Sequence, residues 1–64
     1  MRKRDKFTVY DTDVHAFERI EDTEARAATF EALFKYALYG TEPDFSKLPD
    51  EAVGIYEQFR RRGL

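Results

Sequence analysis

The one histidine of this chain, His15, stands three residues before Glu18, and carboxylates pair at Asp11 with Asp13 and again at Asp50 with Glu51. These are the side chains that could move a proton or hold a hard cation. Nucleophilic catalysis would need a cysteine, a second histidine or an acidic triad partner at a recognisable spacing from His15, and none is present. A calcium loop needs a central glycine and a closing glutamate within twelve residues, and no segment supplies them. Gly40, Gly54 and Gly63 are isolated, which rules out a glycine-rich phosphate cradle. Both acidic pairs read as helix starts, where side-chain oxygens meet free amides and negative charge meets the positive end of the helix dipole. Acid–base work further needs two carboxyl groups in a recess of some 300 Å³, more than a small helical chain is expected to enclose. The expectation is no catalytic residue, no metal, no cofactor and no enzyme.

What remains is charge, and it is segregated. The 64 residues carry a formal net charge of -2. Arg2, Lys3, Arg4 and Lys6 crowd the start and Arg60, Arg61 and Arg62 the end, while positions 7 to 59 hold twelve carboxylates against four cations. That excess is at the top of the range that solubility asks of a small domain, a magnitude of about 2 to 8. A basic partner explains it; so does a solvated acidic surface neutralised by folded-back termini. The carboxylates that would meet a partner are Asp11, Asp13, Glu18, Glu21, Asp22, Glu24 and Glu31, with Glu42 and Asp44 farther on.

The elements that must position these groups follow from periodicity. A chain this short buries only about 60% of its unfolded surface, so stability is marginal. There is no cysteine to staple it. No apolar run fits a signal or a membrane span, which predicts a soluble intracellular protein of one domain over residues 1 to 64. The alternation of Phe7 and Val9 with Thr8 and Tyr10 predicts a short N-terminal β-strand with no evident partner. Val14, Phe17 and Ile20 then mark one edge of a first helix after the start signal at 11–13. Asp22 or Thr23 opens a second helix over 23 to 39, which Gly40 ends. Its apolar side carries Leu33, Ala37, Phe30, Phe34, Ala27 and Leu38. Its other side holds alanines, Thr29, Tyr36 and Tyr39, so it reads as a central helix buried on more than one side, or as one whose alanine and tyrosine face meets a second copy. Residues 41 to 49 form a loop anchored by Phe45 and Leu48. Pro49 suits the first turn of a third helix, with Ala52, Val53, Ile55, Tyr56 and Phe59 on its inner face and a Glu57–Arg61 pair on its surface. The fold class expected is mainly α, a short strand followed by three helices.

The segments Phe7 to Tyr10, Asp22-Thr23-Glu24-Ala25, Leu33-Phe34-Lys35-Tyr36-Ala37 and Gly40-Thr41-Glu42-Pro43-Asp44-Phe45 together resemble an uncharacterised domain of phage and prophage proteins. The resemblance covers about positions 7 to 45, and the G-x-E-P-D-F loop is its most specific part. In longer relatives the domain precedes segments linked to phage replication; this chain stops after the third helix. In size, setting and charge the chain is also similar to small anti-CRISPR inhibitors, several of which present carboxylates where DNA phosphates would lie.

Three functions stay open. In the first, the acidic strip mimics DNA and blocks a basic nucleic-acid-binding protein or complex in the cytoplasm of a bacterial host, with no membrane and no direct DNA binding expected. In the second, the basic termini contact DNA phosphates as a replication accessory. In the third, the unpaired strand and the alanine and tyrosine face build a homodimer or larger scaffold.

Overall fold

A computed structural model describes residues 4 to 64; of the basic N-terminus, Arg2 and Lys3 lie outside them. Three helices follow in order: α1 (Asp11–Glu18), α2 (Thr23–Tyr39) and α3 (Glu51–Arg61), with a single 3-10 turn at Phe45–Lys47. Residues 4 to 10 hold no strand. The expected alternation has no second segment to pair with. The backbone N–H groups of Asp5 to Val9 donate to no backbone carbonyl among the described residues, while that of Arg4 donates to Leu38 O at 2.6 Å. The segment therefore closes the end of a helix, filling one carbonyl that α2 leaves open in its last turn.

α1 begins at Asp11, with Tyr10 as its N-cap residue. The Asp13 carboxylate accepts the Tyr10 N–H at 2.9 Å, the return half of a capping box. The buried positions around this helix are Asp13, Ala16, Phe17 and Ile20, spaced i, i+3, i+4, i+7. Val14, expected on the apolar edge, is 46% exposed instead. The inward stripe starts one residue earlier, on a charged side chain.

α2 has the bounds expected. Asp22 accepts the Glu24 N–H at 3.2 Å, and Gly40 closes the helix at φ 78°, the left-handed region where a side chain costs energy. Leu33 and Ala37 are buried, Phe30, Phe34 and Leu38 half-buried and Ala27 exposed. The opposite side is covered in part: Thr29 is fully buried, its hydroxyl donating to Ala25 O at 2.8 Å, and Tyr36 is buried with its hydroxyl donating to Leu64 O, while Ala28 and Ala32 are half-buried and Tyr39 is exposed.

α3 starts two residues after Pro49, with Asp50 as N-cap residue. Ala52, Ile55 and Phe59 point inward, Tyr56 is half-buried and Val53, expected inside, is 47% exposed. After Arg61 the chain makes a Schellman turn: Gly63 N–H reaches Arg60 O at 2.9 Å, Leu64 N–H reaches Phe59 O at 3.1 Å, and Gly63 has φ 83°. Leu64 thereby folds onto the core.

Five phenylalanines hold the three helices together. Phe17 stacks on Phe30 at 4.2 Å and meets Phe34 and Phe59 edge-on, while Phe7 packs on Phe34 at 5.5 Å and Phe59 at 5.9 Å. A second cluster joins Tyr56 to Tyr36 and to Phe45, so Phe45 does anchor the loop. α1 runs antiparallel to α3: Asp13 at the start of α1 meets Arg62 beyond α3, and Arg19 beyond α1 borders the same groove as Asp50 and Glu51.

Candidate interaction surfaces at the two ends

The helix directions decide where charge collects. The end of α1 and the starts of α2 and α3 come to one side, carrying Glu18, Glu21, Asp22, Glu24, Asp50 and Glu51, all exposed. Two cations share that end. Arg26 is committed inward, its Nε donating to Ile20 O at 2.9 Å and its Nη2 to Glu18 O at 3.4 Å, where α1 leaves carbonyls open. Arg19 is exposed beside Asp50 and Glu51. Glu18 faces His15 at 3.3 Å, with both side chains more than half exposed, a surface contact worth little. Glu21, Asp22 and Glu24 make no ion pair among the described residues.

The other expected members of the acidic strip fall elsewhere. Asp11 is exposed in the first turn of α1. Asp13 must be corrected: it is 1% exposed and its carboxylate is held by Arg62, so no partner can reach it. Its burial follows from the inward stripe of α1, which a charge can join only when paired. Glu31, Glu42 and Asp44 gather along a groove with Ala28 and Ala32, where Lys35 and Lys47 accompany them. Lys35 lies 3.6 Å from Glu31 and Lys47 4.0 Å from Asp44. Glu42 accepts the Tyr56 hydroxyl at 2.8 Å, which raises the tyrosine's pKa above its ordinary 10.0 by favouring the neutral form. Asp44 accepts both the Ser46 hydroxyl at 2.6 Å and the Ser46 N–H at 3.2 Å, and these bonds hold its carboxyl below the usual 3.8. The strip is thus divided: a cluster at the α1–α2 junction with no lysine beside it, a groove that Lys35 and Lys47 accompany, the buried Asp13, and Asp11 in the first turn of α1. The Glu57 pair also moves by one residue, to Arg60 at 3.8 Å.

The cations collect at the opposite end, where α1 starts and α2 and α3 finish. Arg4, Lys6 and Arg62 line an open groove of about 550 Å³ together with Phe7, Thr8 and Tyr10. That exceeds the recess expected of so small a chain, although this groove is a surface channel. Arg62 sits between two rings, its guanidinium carbon 5.0 Å from the Tyr10 centroid and 4.9 Å from that of Phe59. Nothing in the sequence marks Arg62 apart from Arg60 and Arg61, except that it directly precedes the Gly63 turn. Among the described residues no three of His, Cys, Asp or Glu gather so as to hold a metal ion, and no helix is long and apolar enough to cross a membrane.

No protein-family model, curated protein or solved structure matches the chain. The surfaces above are therefore read from their own chemistry.

Proposed function

We propose that this chain is a non-enzymatic interaction protein whose acidic end docks on a lysine- and arginine-rich, nucleic-acid-binding surface of a bacterial host protein or complex, in the manner of an anti-CRISPR inhibitor that stands in for DNA. One observation carries the reading. Glu21, Asp22 and Glu24 are exposed, without ion pairs among the described residues, and sit at the start of α2, whereas Arg4 is bonded at its finish. Fourteen residues of helix separate Glu24 from Leu38, roughly 21 Å, more than two screening lengths of about 8 Å at physiological salt. The basic end therefore leaves the field of the acidic end intact. Such a field steers encounter with a cationic channel and raises the association rate. His15 and Glu18, 3.3 Å apart, stand 69% and 60% exposed on the surface of α1, a contact open to solvent.

The test is capture from a bacterial lysate on the immobilised protein, followed by elution with duplex DNA. The wild type is expected to retain a basic protein that both salt and DNA release. The Glu18→Lys, Glu21→Lys, Glu24→Lys triple variant, which keeps the Asp22 cap, is expected to retain none while melting within a few degrees of wild type. Capture that survives the charge reversal, or that DNA does not displace, sinks the proposal.

A further inference from the structure

We infer that the groove at the basic end is a binding site for single-stranded nucleic acid, with Arg4 and Lys6 taking backbone phosphates and Tyr10 stacking on a base. Arg4 and Lys6 form no ion pair among the described residues, and no acidic side chain lines the groove they share with Arg62. Arg62 has a different task. Its charge is matched by Asp13, and its guanidinium rests against the Tyr10 ring, so that one face of the tyrosine is fixed in place. Tyr10 as a residue nevertheless stays 52% exposed. Beside it Thr8 is exposed and lines the same groove, and the N–H groups of Asp5 to Val9 donate to no backbone carbonyl among the described residues.

These features select among anions. A lone phosphate favours an enclosed site, whereas this groove is open and follows the chain from Arg4 to Tyr10. Spaced positive charge along an open channel suits a polyanion. An accessible aromatic ring between the charges suits one whose bases are unstacked, since stacking on aromatic side chains is how single strands are held without regard to sequence. A duplex would use the charges and leave the ring idle. The expectation of no DNA contact, drawn from the acidic body, does not extend to this groove, because the two charge clusters occupy opposite ends of α2.

The experiment is fluorescence anisotropy with a labelled twelve-residue oligo-dT and the same-length duplex, over a series of salt concentrations. The wild type should bind oligo-dT more tightly than duplex, with a log–log salt slope of roughly -1.4, about -0.7 for each of two phosphates. Arg4→Gln with Lys6→Gln should flatten the slope. Tyr10→Ala should weaken binding about tenfold, and Tyr10→Phe, which keeps the stacking face and the contact with Arg62, should bind as wild type. The triple lysine variant of the acidic end should bind oligo-dT at least as well as wild type, so failure here is separable from failure of the protein-docking reading. Absence of oligo-dT binding at low salt, equal or tighter duplex binding, or a Tyr10→Phe variant as weak as Tyr10→Ala overturns the inference.

Discussion

The Arg62 guanidinium donates through one nitrogen to both carboxylate oxygens of Asp13, at 3.1 and 2.8 Å, joining residues 49 positions apart. Asp13 sits in the first turn of α1 and Arg62 just past α3, so the pair latches the start of one helix to the finish of another. The same carboxylate accepts the Tyr10 N–H, and the same guanidinium is held between Tyr10 and Phe59. Every polar atom of the pair that is buried has a partner.

Asp13→Ala should therefore cost about 2 to 4 kcal/mol, somewhat below the range for a fully buried pair because the Arg62 side chain remains 26% exposed. For a chain of this size that is a drop in Tm on the order of 10 to 25 °C. The greater part of the loss comes from stranding the guanidinium and the Tyr10 N–H. The double variant Asp13→Leu, Arg62→Met should then recover a substantial share of it. Urea unfolding followed by circular dichroism measures both. A single variant within about 0.5 kcal/mol of wild type would show that the latch contributes little.

This latch also explains which parts of the fold were legible in sequence. α2 carries its own punctuation, an Asp22 cap and a Gly40 stop, and both local signals act without help from the rest of the chain. The Asp13 and Thr29 positions run against local rules. A carboxylate and a hydroxyl occupy core positions because Arg62 and the Ala25 carbonyl satisfy them, and the first of those partners is far away in sequence. The N-terminal segment failed for a related reason: period-two patterning reports which side chains face inward, but a strand also needs a neighbour's backbone. The acidic strip was legible as composition only. Its division into an end cluster, a lysine-accompanied groove, one buried residue and the separate Asp11 depends on helix directions that no single segment encodes.

Two glycines should respond in opposite senses to alanine. Gly54 is inside α3 with nothing within 4 Å of an added Cβ, so Gly54→Ala should stabilise by about 0.5 to 1 kcal/mol through lower backbone entropy in the unfolded chain. Gly63 also has open space, but its φ of +83° is strained for a side chain. Gly63→Ala should cost about 1 to 2 kcal/mol and loosen the packing of Leu64. Thermal melts of the two variants should bracket the wild type; a Gly63→Ala protein that melts at or above wild type would show that the Schellman turn does not set stability.

Acid and alkaline unfolding should expose the two shifted groups. Asp44 has a folded pKa below its ordinary 3.8, owing first to the Ser46 hydroxyl and then to the Ser46 N–H. The folded state holds that proton less tightly than the unfolded chain. The contribution to stability is complete above the unfolded value and is lost as pH falls through the folded one. Asp44→Asn, which keeps an oxygen for Ser46, should flatten the Tm curve between about pH 5 and about pH 3. Tyr56 behaves oppositely. Its pKa is raised first by the bond to Glu42, so its contribution is present below 10.0 and lost as pH climbs through the folded value. Tyr56→Phe should remove that alkaline component. Melting curves across both ranges test the pair, and unchanged slopes in the two variants would show that these exposed bonds do not couple to folding.

Phe7 is the residue that ties the N-terminal segment to the helices, packing on Phe34 and Phe59 while Arg4 N–H reaches the Leu38 carbonyl. A fully buried Phe→Ala change costs about 3 to 5 kcal/mol, and because Phe7 is only half-buried its replacement should cost about 1.5 to 3 kcal/mol. The local effect should exceed the global one. With the ring gone, nothing apolar holds residues 4 to 9 against the bundle, so the Arg4 amide should exchange with solvent far faster while the amides of α2 slow or quicken only in step with global stability. The comparison separates two roles for the segment. Uniform acceleration across Arg4 and α2 would mean that the segment is an integral part of the core; acceleration confined to Arg4 would mean that it is an attached arm, and the groove it forms with Tyr10 and Arg62 would open with it.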